Sequence, residues 1–374
     1  MLVNTRARRQ RPHFLDKGRS PCYNELMNKH DKTQRIKAMK DLSILYAFDE
    51  NYAPWAGVSM YSLFENNKDL TDMTIYCVVD NVSRPTLLRL LRQAKHYGRT
   101  LTFVDAAAII RRIKALGIPM YRGSYTTNFR LFFDLFVKKD TRRLLYIDCD
   151  TLVTGSLLPL AELDMGDKVI GVVRDSLSIK YKEMLGLKPE DLYFNAGVSL
   201  INVPEWKKQG ITEKMMDHIQ HVQAQYCNPD QDLLNLVLQG RAYLLPPGYN
   251  LQPHHLAFRD KTYFKVYKPK VYYTAAELEE ARENPVILHV YRYLGDFPWH
   301  KRNLHPANKL FNKYVKGSIF SDVIKKPSAG GPIHKIEKAM YVVLPQRVFL
   351  TIFKGVTLRN FRRQNAELQK NQSK

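Results

Sequence analysis

RLLYIDCDTLV, residues 143–153, joins an apolar run of strand type to two carboxylates. Residues 144–147 (LLYI) read as the interior of a sheet, a setting that ordinarily excludes adjacent charges, yet they lead straight into Asp148 and Asp150. In an extended backbone, positions i and i+2 share a face, so both carboxylates would point to one side at the strand's carboxyl end. Two hard oxygen ligands there suit Mg²⁺ or Mn²⁺ bridging to a substrate diphosphate. The plain alternative is a solvated strand end. A D-x-D is also common by chance, and a second one, Asp230-Gln231-Asp232, occurs in the same chain.

The pattern repeats toward the N-terminus. Residues 43–48 (SILYAF) form an apolar run ending at Asp49, and 55–64 suit a helix. Residues 73–79 (MTIYCVV) read as a second strand, and 85–97 as a helix with Leu87, Leu88, Leu91 and Ala94 on one face. Residues 101–104 are a third strand. This alternation predicts an α/β protein with a parallel, doubly wound sheet. No GxGxxG follows the first strand and no GxxxxGK[ST] occurs, so the dinucleotide fingerprint and the Walker loop are both missing. Ligands of such sheets bind beyond the carboxyl ends of the strands, where Asp49, Asn51 and Tyr52 stand at one end and Asp148 and Asp150 at another.

Two further stretches carry candidate groups. FNAGV (194–198) opens an apolar strand with an amide and small residues, which lets backbone and Asn195 approach a ligand; a strand-entry turn reads equally well. His289 follows an apolar run at 286–288. A neutral imidazole added to two carboxylates moves the expected ion from Mg²⁺ toward Mn²⁺, although a lone histidine at a strand end is more often structural.

The 374 residues are 45% hydrophobic and 25% charged, ordinary globular values that exclude wholesale disorder. No run is long enough to span a membrane, and the basic N-terminus lacks the apolar core of a secretory signal. Cys22, Cys77, Cys149 and Cys227 are scattered without a CxxC pair, which argues against zinc and disulfide frameworks and for a cytosolic setting. The net charge of +22 is concentrated at the ends: residues 1–42 carry +7, residues 299–374 carry +13, and the 256 between them only +2. Such ends face an acidic partner, nucleic acid or anionic lipid. From Arg347 the sequence RVFLTIFKGVTLRNFRRQ places Phe349, Ile352, Phe353 and Val356 at 3/4 spacing among basic residues. That suits a helix lying in a membrane interface and makes nucleic acid the weaker partner; a helix docked on the protein's own surface is the alternative. As a separable anchor, residues 340–374 could be removed with the donor chemistry left intact.

In order along the chain stand ILYAFDENYAPWAGVSMYSL, FRLFFDLF, RLLYIDCDTLV, DLYFNAGVSLINVPEW, NPDQDLLN and ILHVYRYLGDFPWHK. Together these blocks, spanning roughly residues 43–305, resemble the family 8 glycosyltransferases, which include glycogenin and bacterial lipopolysaccharide and lipooligosaccharide galactosyl- and glucosyltransferases. The resemblance implies a GT-A fold, a mixed sheet flanked by helices, and retaining transfer of galactose or glucose from a UDP-sugar. It implies Asp49, Asn51 and Tyr52 at the uridine, and Asp148, Asp150 and His289 on Mn²⁺ (or Mg²⁺). It also implies Arg130, Asp175, Asn195, Ala196 and Gly295 around ribose, diphosphate or sugar, with Asp230 and Gln231 flanking the donor sugar. Gln231 stands at the expected nucleophile position; an amide is a poor nucleophile, which favours front-face attack with Asp232 in reserve.

One stretch departs from the pattern. The family usually reads H-x-x-G-x-x-K-P-W, whereas HVYRYLGDFPW is two residues longer and has Phe297 where the lysine is expected. Either the loop rearranges and Arg292 or Lys301 supplies the positive charge, or diphosphate binding is weakened. The implied organisation is a basic arm at 1–42, a GT-A domain at 43–315 and a basic amphipathic membrane-association segment at 316–374. The expected acceptor is a lipid-linked glycan, and the expected location the inner face of the cell membrane. The competing readings are a self-glucosylating enzyme like glycogenin and a non-catalytic protein of the same fold holding membrane or nucleic acid.

Overall fold

The computed structural model describes residues 42–70, 73–175, 179–222, 226–328 and 331–372, which belong to one compact unit spanning 40–374. The 1–42 arm, apart from the buried Leu42, and Cys22 lie outside the described residues. Strands β1 (Ser43–Asp49), β2 (Thr74–Asp80), β3 (Thr100–Asp105) and β4 (Arg143–Ile147) are parallel, ordered β3-β2-β1-β4. Along β1, Ile44, Tyr46 and Phe48 face one core with Trp55, Val58 and Leu63, while Leu45 and Ala47 face another with Phe129, Phe133 and Trp206. Burial on both faces is why these strands read as continuous apolar runs.

The sheet is mixed, as the resemblance implied, and not wholly parallel as the alternation predicted. β7 (Phe194–Asn202) runs antiparallel to both β4 and β6 (Ile170–Arg174), and β8 (Ala242–Leu244) pairs parallel with β6 at the far edge. The reversal has a consequence for the site. β7 starts where β4 ends, and there the Asp148 N–H donates to Gly197 O at 2.8 Å.

A two-stranded antiparallel sheet, β5 (Thr151–Val153) with β9 (Ile287–His289), sits beside the main one and pairs Thr151 with His289. It is tied to the helix Ala53–Asn66 by hydroxyls: Ser59 Oγ lies 2.9 Å from Thr151 Oγ1 and 3.0 Å from Tyr46 Oη. The helix Arg84–His96 packs through Leu90, Gln93 and Ala94, leaving Leu88 and Leu91 exposed, contrary to the apolar face expected from spacing. Gln93 is buried because both ends of its amide are used, donating to Gly57 O at 2.7 Å and accepting from Ile319 N at 3.1 Å.

The C-terminal helix, Gln346–Gln372, follows a second helix, Pro332–Val343, that lay unread in the sequence. Phe349 and Leu350 are buried against Phe258, Tyr263 and Tyr293, and Phe353 stacks on Phe349 at 5.5 Å. Of its expected interfacial face, Phe349 is docked on the protein itself, Phe353 and Val356 are half-buried, and Ile352 stays exposed. No described helix is long and apolar enough to cross a membrane.

Candidate active site

Asp148, Asp150 and His289 converge, with one ligand atom from each lying within 4.8 Å of the others. His289 Nε2 is 3.3 Å from Asp150 Oδ1 and 3.7 Å from Asp148 Oδ2. The ring is oriented from behind: its Nδ1–H donates to Asn250 Oδ1 at 3.0 Å, and the Asn250 amide donates to Asn195 Oδ1 at 2.9 Å. That hydrogen bond selects the tautomer whose Nε2 lone pair faces the carboxylates, as a metal ligand requires. Burial alone would lower the His289 pKa, but Asp150 and Asp148 outweigh it and the net shift is upward. A Cβ on Gly197 would overlap both the imidazole and the Asp148 carboxylate, so this cradle needs glycine. Two carboxylates and one imidazole whose ligand atoms converge in this way fit a hard to borderline divalent ion.

Arg130 binds the carboxylates together. It donates to Asp148 Oδ1 at 2.8 Å, pairs with Asp230 through Nε at 3.1 Å, and also donates to Ala196 O. Its Cζ lies 3.8 Å from the centre of the Tyr146 ring, whose hydroxyl donates to the same Asp148 oxygen at 2.6 Å. Burial works against its charge, yet Asp148, Tyr146 and Asp230 raise its pKa further, so the guanidinium stays protonated. Asp230 is pushed up by burial and held back by Arg130.

The helix Pro229–Val237 carries the second D-x-D in its first turn. Gln231 accepts from the Ala196 N–H at 3.0 Å and donates to Tyr193 Oη at 3.0 Å. Asp175 accepts from Asn195 Nδ2 at 3.2 Å and from Gln231 Nε2 at 3.4 Å, which brings three expected residues together. Asp232 stands apart. It is fully buried and accepts from Tyr193, Tyr181 and the Asn228 N–H at 2.6, 2.7 and 3.0 Å. Burial pushes its pKa up to about 6. With both oxygens committed to that inner network, a reserve role as nucleophile has no geometric support.

At the end of β1, Asp49 Oδ1 accepts from the Tyr52 N–H at 3.0 Å, and the Tyr52 ring meets Phe297 and Trp299 edge-on at 6.3 and 6.2 Å. Asn51 Oδ1 accepts from Lys326 Nζ at 3.3 Å.

A family model for "Glycosyl transferase family 8" matches residues 43–303. The chain belongs to glycosyl transferase family 8. General stress protein A of Bacillus subtilis (strain 168) is 26% identical over 277 residues, 73% of this chain and 93% of its own. Lipopolysaccharide 1,2-glucosyltransferase of Escherichia coli (strain K12) is 27% identical over 293 residues, 77% of this chain and 81% of its own. The crystal structure of galactosyltransferase LgtC in complex with donor and acceptor sugar analogs shares the fold, with a TM-score of 0.59 at 24% identity, covering 74% of this chain and 96% of that one.

The departure from the family 8 motif now has a structural context. Phe297 stacks on Trp299 at 4.3 Å, which itself stacks on Trp55 at 4.7 Å. Asp296, wholly buried, accepts from Lys338 and from His300 Nδ1 at 2.9 Å. Gly295, with φ +79°, turns its open face to the C-terminal segment: a Cβ there would come within 2.5 Å of His334 Cγ. Tyr293 meets Tyr341 edge-on at 5.7 Å. The helix Pro332–Val343 thus touches the 290–299 loop through Lys338 and Tyr341. Lys301 is exposed, while Arg292 lies half-buried with its Cζ 5.3 Å from the Phe297 ring centre. Tyr146, Asn250 and Lys338 escaped sequence reading, because a tyrosine in an apolar strand, a loop asparagine and a tail lysine carry no local signal.

Proposed function

We propose that this family 8 glycosyltransferase moves galactose or glucose from a UDP-sugar, with retention, to a lipid-linked glycan, lipopolysaccharide or a related surface glycan. The observation that carries the reading is the convergence of Asp148, Asp150 and His289 beside the Asp175–Asn195–Gln231 cluster. A divalent ion held by those three ligands would stabilise the charge that develops on departing UDP without a proton transfer. Arg130 holds Asp148 in position through their ion pair, and Asn250 holds His289 with its free nitrogen toward the carboxylates. Gln231 is fixed at both ends of its amide. An amide in that place suits front-face attack, in which the departing phosphate oxygen takes the acceptor's proton. The names of relatives that act on lipopolysaccharide support the acceptor class.

The basic tail supports attachment to an anionic membrane. Ile333, Ile336, Val342 and Val343 stand 57 to 77% exposed on the helix Pro332–Val343, with Val348 and Ile352 exposed on the next helix. Exposed aliphatic side chains within a segment carrying +13 match a surface of hydrocarbon beneath anionic headgroups.

The direct test is UDP release from a panel of UDP-sugars by the full-length protein, with Mn²⁺ or EDTA, for wild type and Asp150→Ala. Slow hydrolysis of UDP-galactose or UDP-glucose, lost on chelation and in the variant, is the expected result. Absence of any metal-dependent UDP binding by calorimetry would overturn it.

A further inference from the structure

An amide has two chemically different ends, and Gln231 can serve transfer in opposite senses depending on which one it offers. The oxygen end of its dipole stabilises positive charge developing at the donor's anomeric carbon; the N–H end opposes it. The Gln231 backbone is set by Asn235, one turn along the helix Pro229–Val237. The Asn235 amide donates to Gln231 O and to Phe194 O at 2.9 Å each, and accepts from the Phe194 N–H at 2.7 Å. Those bonds tie the helix to β7 but leave the rotation of the Gln231 side-chain amide to other groups.

Three contacts set that rotation, and they agree. The Ala196 N–H can only donate, so the atom 3.0 Å from it is Oε1. The Asp175 carboxylate can only accept, so the atom 3.4 Å from its Oδ2 is Nε2. The third partner, the Tyr193 hydroxyl 3.0 Å from Nε2, could by its own chemistry donate or accept. Asp232 removes that choice. Its Oδ1 lies 2.6 Å from Tyr193 Oη and takes the hydroxyl proton, so Tyr193 has only a lone pair to offer Gln231. Asp232 is itself fixed on the other side. Its Oδ2 accepts from Tyr181 Oη at 2.7 Å and from the Asn228 N–H at 3.0 Å, while the Asn228 side chain donates to Tyr181 Oη at 2.9 Å. Asp232, Tyr181 and Tyr193 are all buried, and the two rings meet edge-on at 6.0 Å. Both N–H groups of Gln231 and one lone pair of its oxygen are thus engaged; the second Oε1 lone pair has no partner among the described residues.

Resting on the glycosyltransferase reading, we infer that Tyr193 is a positioning residue for transfer: with its proton taken by Asp232, its hydroxyl holds the Gln231 amide so that an oxygen lone pair, and no N–H, is left for the donor sugar. Asp232 is tied to the site at one remove, through Tyr193.

The test compares two variants of the full-length protein, well above pH 6, where the Asp232 carboxylate is ionised. Tyr193→Phe and Tyr181→Phe each keep the ring and remove one hydroxyl from the same carboxylate, on opposite oxygens. Both should therefore lower the unfolding temperature to a similar extent. Hydrolysis of UDP-galactose and UDP-glucose with Mn²⁺ separates them: Tyr193→Phe should lose about tenfold in kcat, the worth of one hydrogen bond, with KM within about twofold. Tyr181→Phe should keep kcat within about twofold. In a Gln231→Ala background, Tyr193→Phe should cost nothing more, because the group it positions is gone. A second readout needs no turnover. In ¹H–¹⁵N spectra of the ligand-free protein, the Gln231 side-chain amide signals, assigned by their absence from Gln231→Ala, should shift further in Tyr193→Phe than in Tyr181→Phe. Equal losses of kcat in the two phenylalanine variants would make the effect structural and overturn the assignment. So would an unchanged kcat in Tyr193→Phe, a tenfold loss that persists without Gln231, or amide signals that do not move. Wild type that binds no UDP would overturn the glycosyltransferase reading and this role with it.

Discussion

The cleft and the C-terminal helix pair treat charge and apolar surface in opposite ways. At the site, Arg130, Asp230 and His289 are withdrawn from water, and with the partly buried Asp148 they are satisfied by one another. On the Pro332–Val343 helix, aliphatic side chains face solvent while Lys338 and Tyr341 turn inward onto the 290–299 loop. Charge held in the interior is costly and has to be paired there, whereas exposed aliphatic groups leave a surface open to a partner. The two faces of that one helix differ, one touching the 290–299 loop and the other exposed to solvent.

The largest effect that would break this contrast is in the cleft. Arg130→Met leaves the buried Asp230 and the partly buried Asp148 without their cation, and should destabilise the fold by about 3–5 kcal/mol, the cost typical of orphaning a buried pair. Urea unfolding measures it; a loss below about 1 kcal/mol, the range of exposed pairs, would mean that the network is solvated.

Asp232 offers a pH-resolved test of the same interior. Its folded pKa of about 6 lies above the ordinary carboxylate value of 3.8, so its protonated form favours the native state. That stability is fully present below pH 4 and is lost as pH rises through 6. Asp232→Asn should therefore flatten the pH dependence of stability between pH 4 and 6 by on the order of 2–3 kcal/mol. Denaturant titrations at stepped pH report it, and an unaltered slope would refute the assignment.

Lys338→Met probes the seam between the two regions. Asp296 would keep His300 but lose its strongest partner, and stability should fall by about 2 kcal/mol, less than for a wholly orphaned charge. Asp296 is held below the usual carboxylate range: burial opposes this, but Lys338, Ser328 and His300 prevail. Its contribution is therefore present above the unfolded pKa and is lost as pH falls through the folded one, and the variant should lack that acid-side loss. UDP affinity should drop as well, because the loop is released. Undiminished UDP affinity would make the tail a separable anchor after all.

The smallest effect on the fold belongs to the outer face. Val342→Asp with Val343→Asp should change stability by no more than about 0.5 kcal/mol, as exposed substitutions do. The same pair should reduce partitioning to anionic vesicles by at least about tenfold, since two buried aliphatic groups are worth more than 1.4 kcal/mol. Vesicle cosedimentation separates these outcomes, and unchanged partitioning would remove the membrane from this surface.

Much of this was legible along the chain, and the reason differs from residue to residue. Asp148 and Asp150 stood out because two charges at the end of an apolar strand need a purpose, and the strand itself was legible because burial on both faces leaves no polar alternation. The helix Arg84–His96 was found but its packed face was misassigned: Gln93 looks polar until Gly57 and Ile319 satisfy its amide. The Phe349 side of the last helix was read as interfacial, because amphipathic spacing is the same whether the apolar stripe meets lipid or Phe258 and Tyr293.

By itself, then, the sequence determined the α/β class, the strand ends, the family and most of the groups at the cleft, since those follow from local hydrophobic period and motif order. Only the tertiary structure decided that β7 runs backward to deliver Asn195, that β5 pairs with β9 to set His289 opposite Thr151, that Asp232 faces inward, and that Lys338 reaches the 290–299 loop. Each of these joins residues many positions apart, and the geometry of a long-range contact is set by packing that no local pattern encodes.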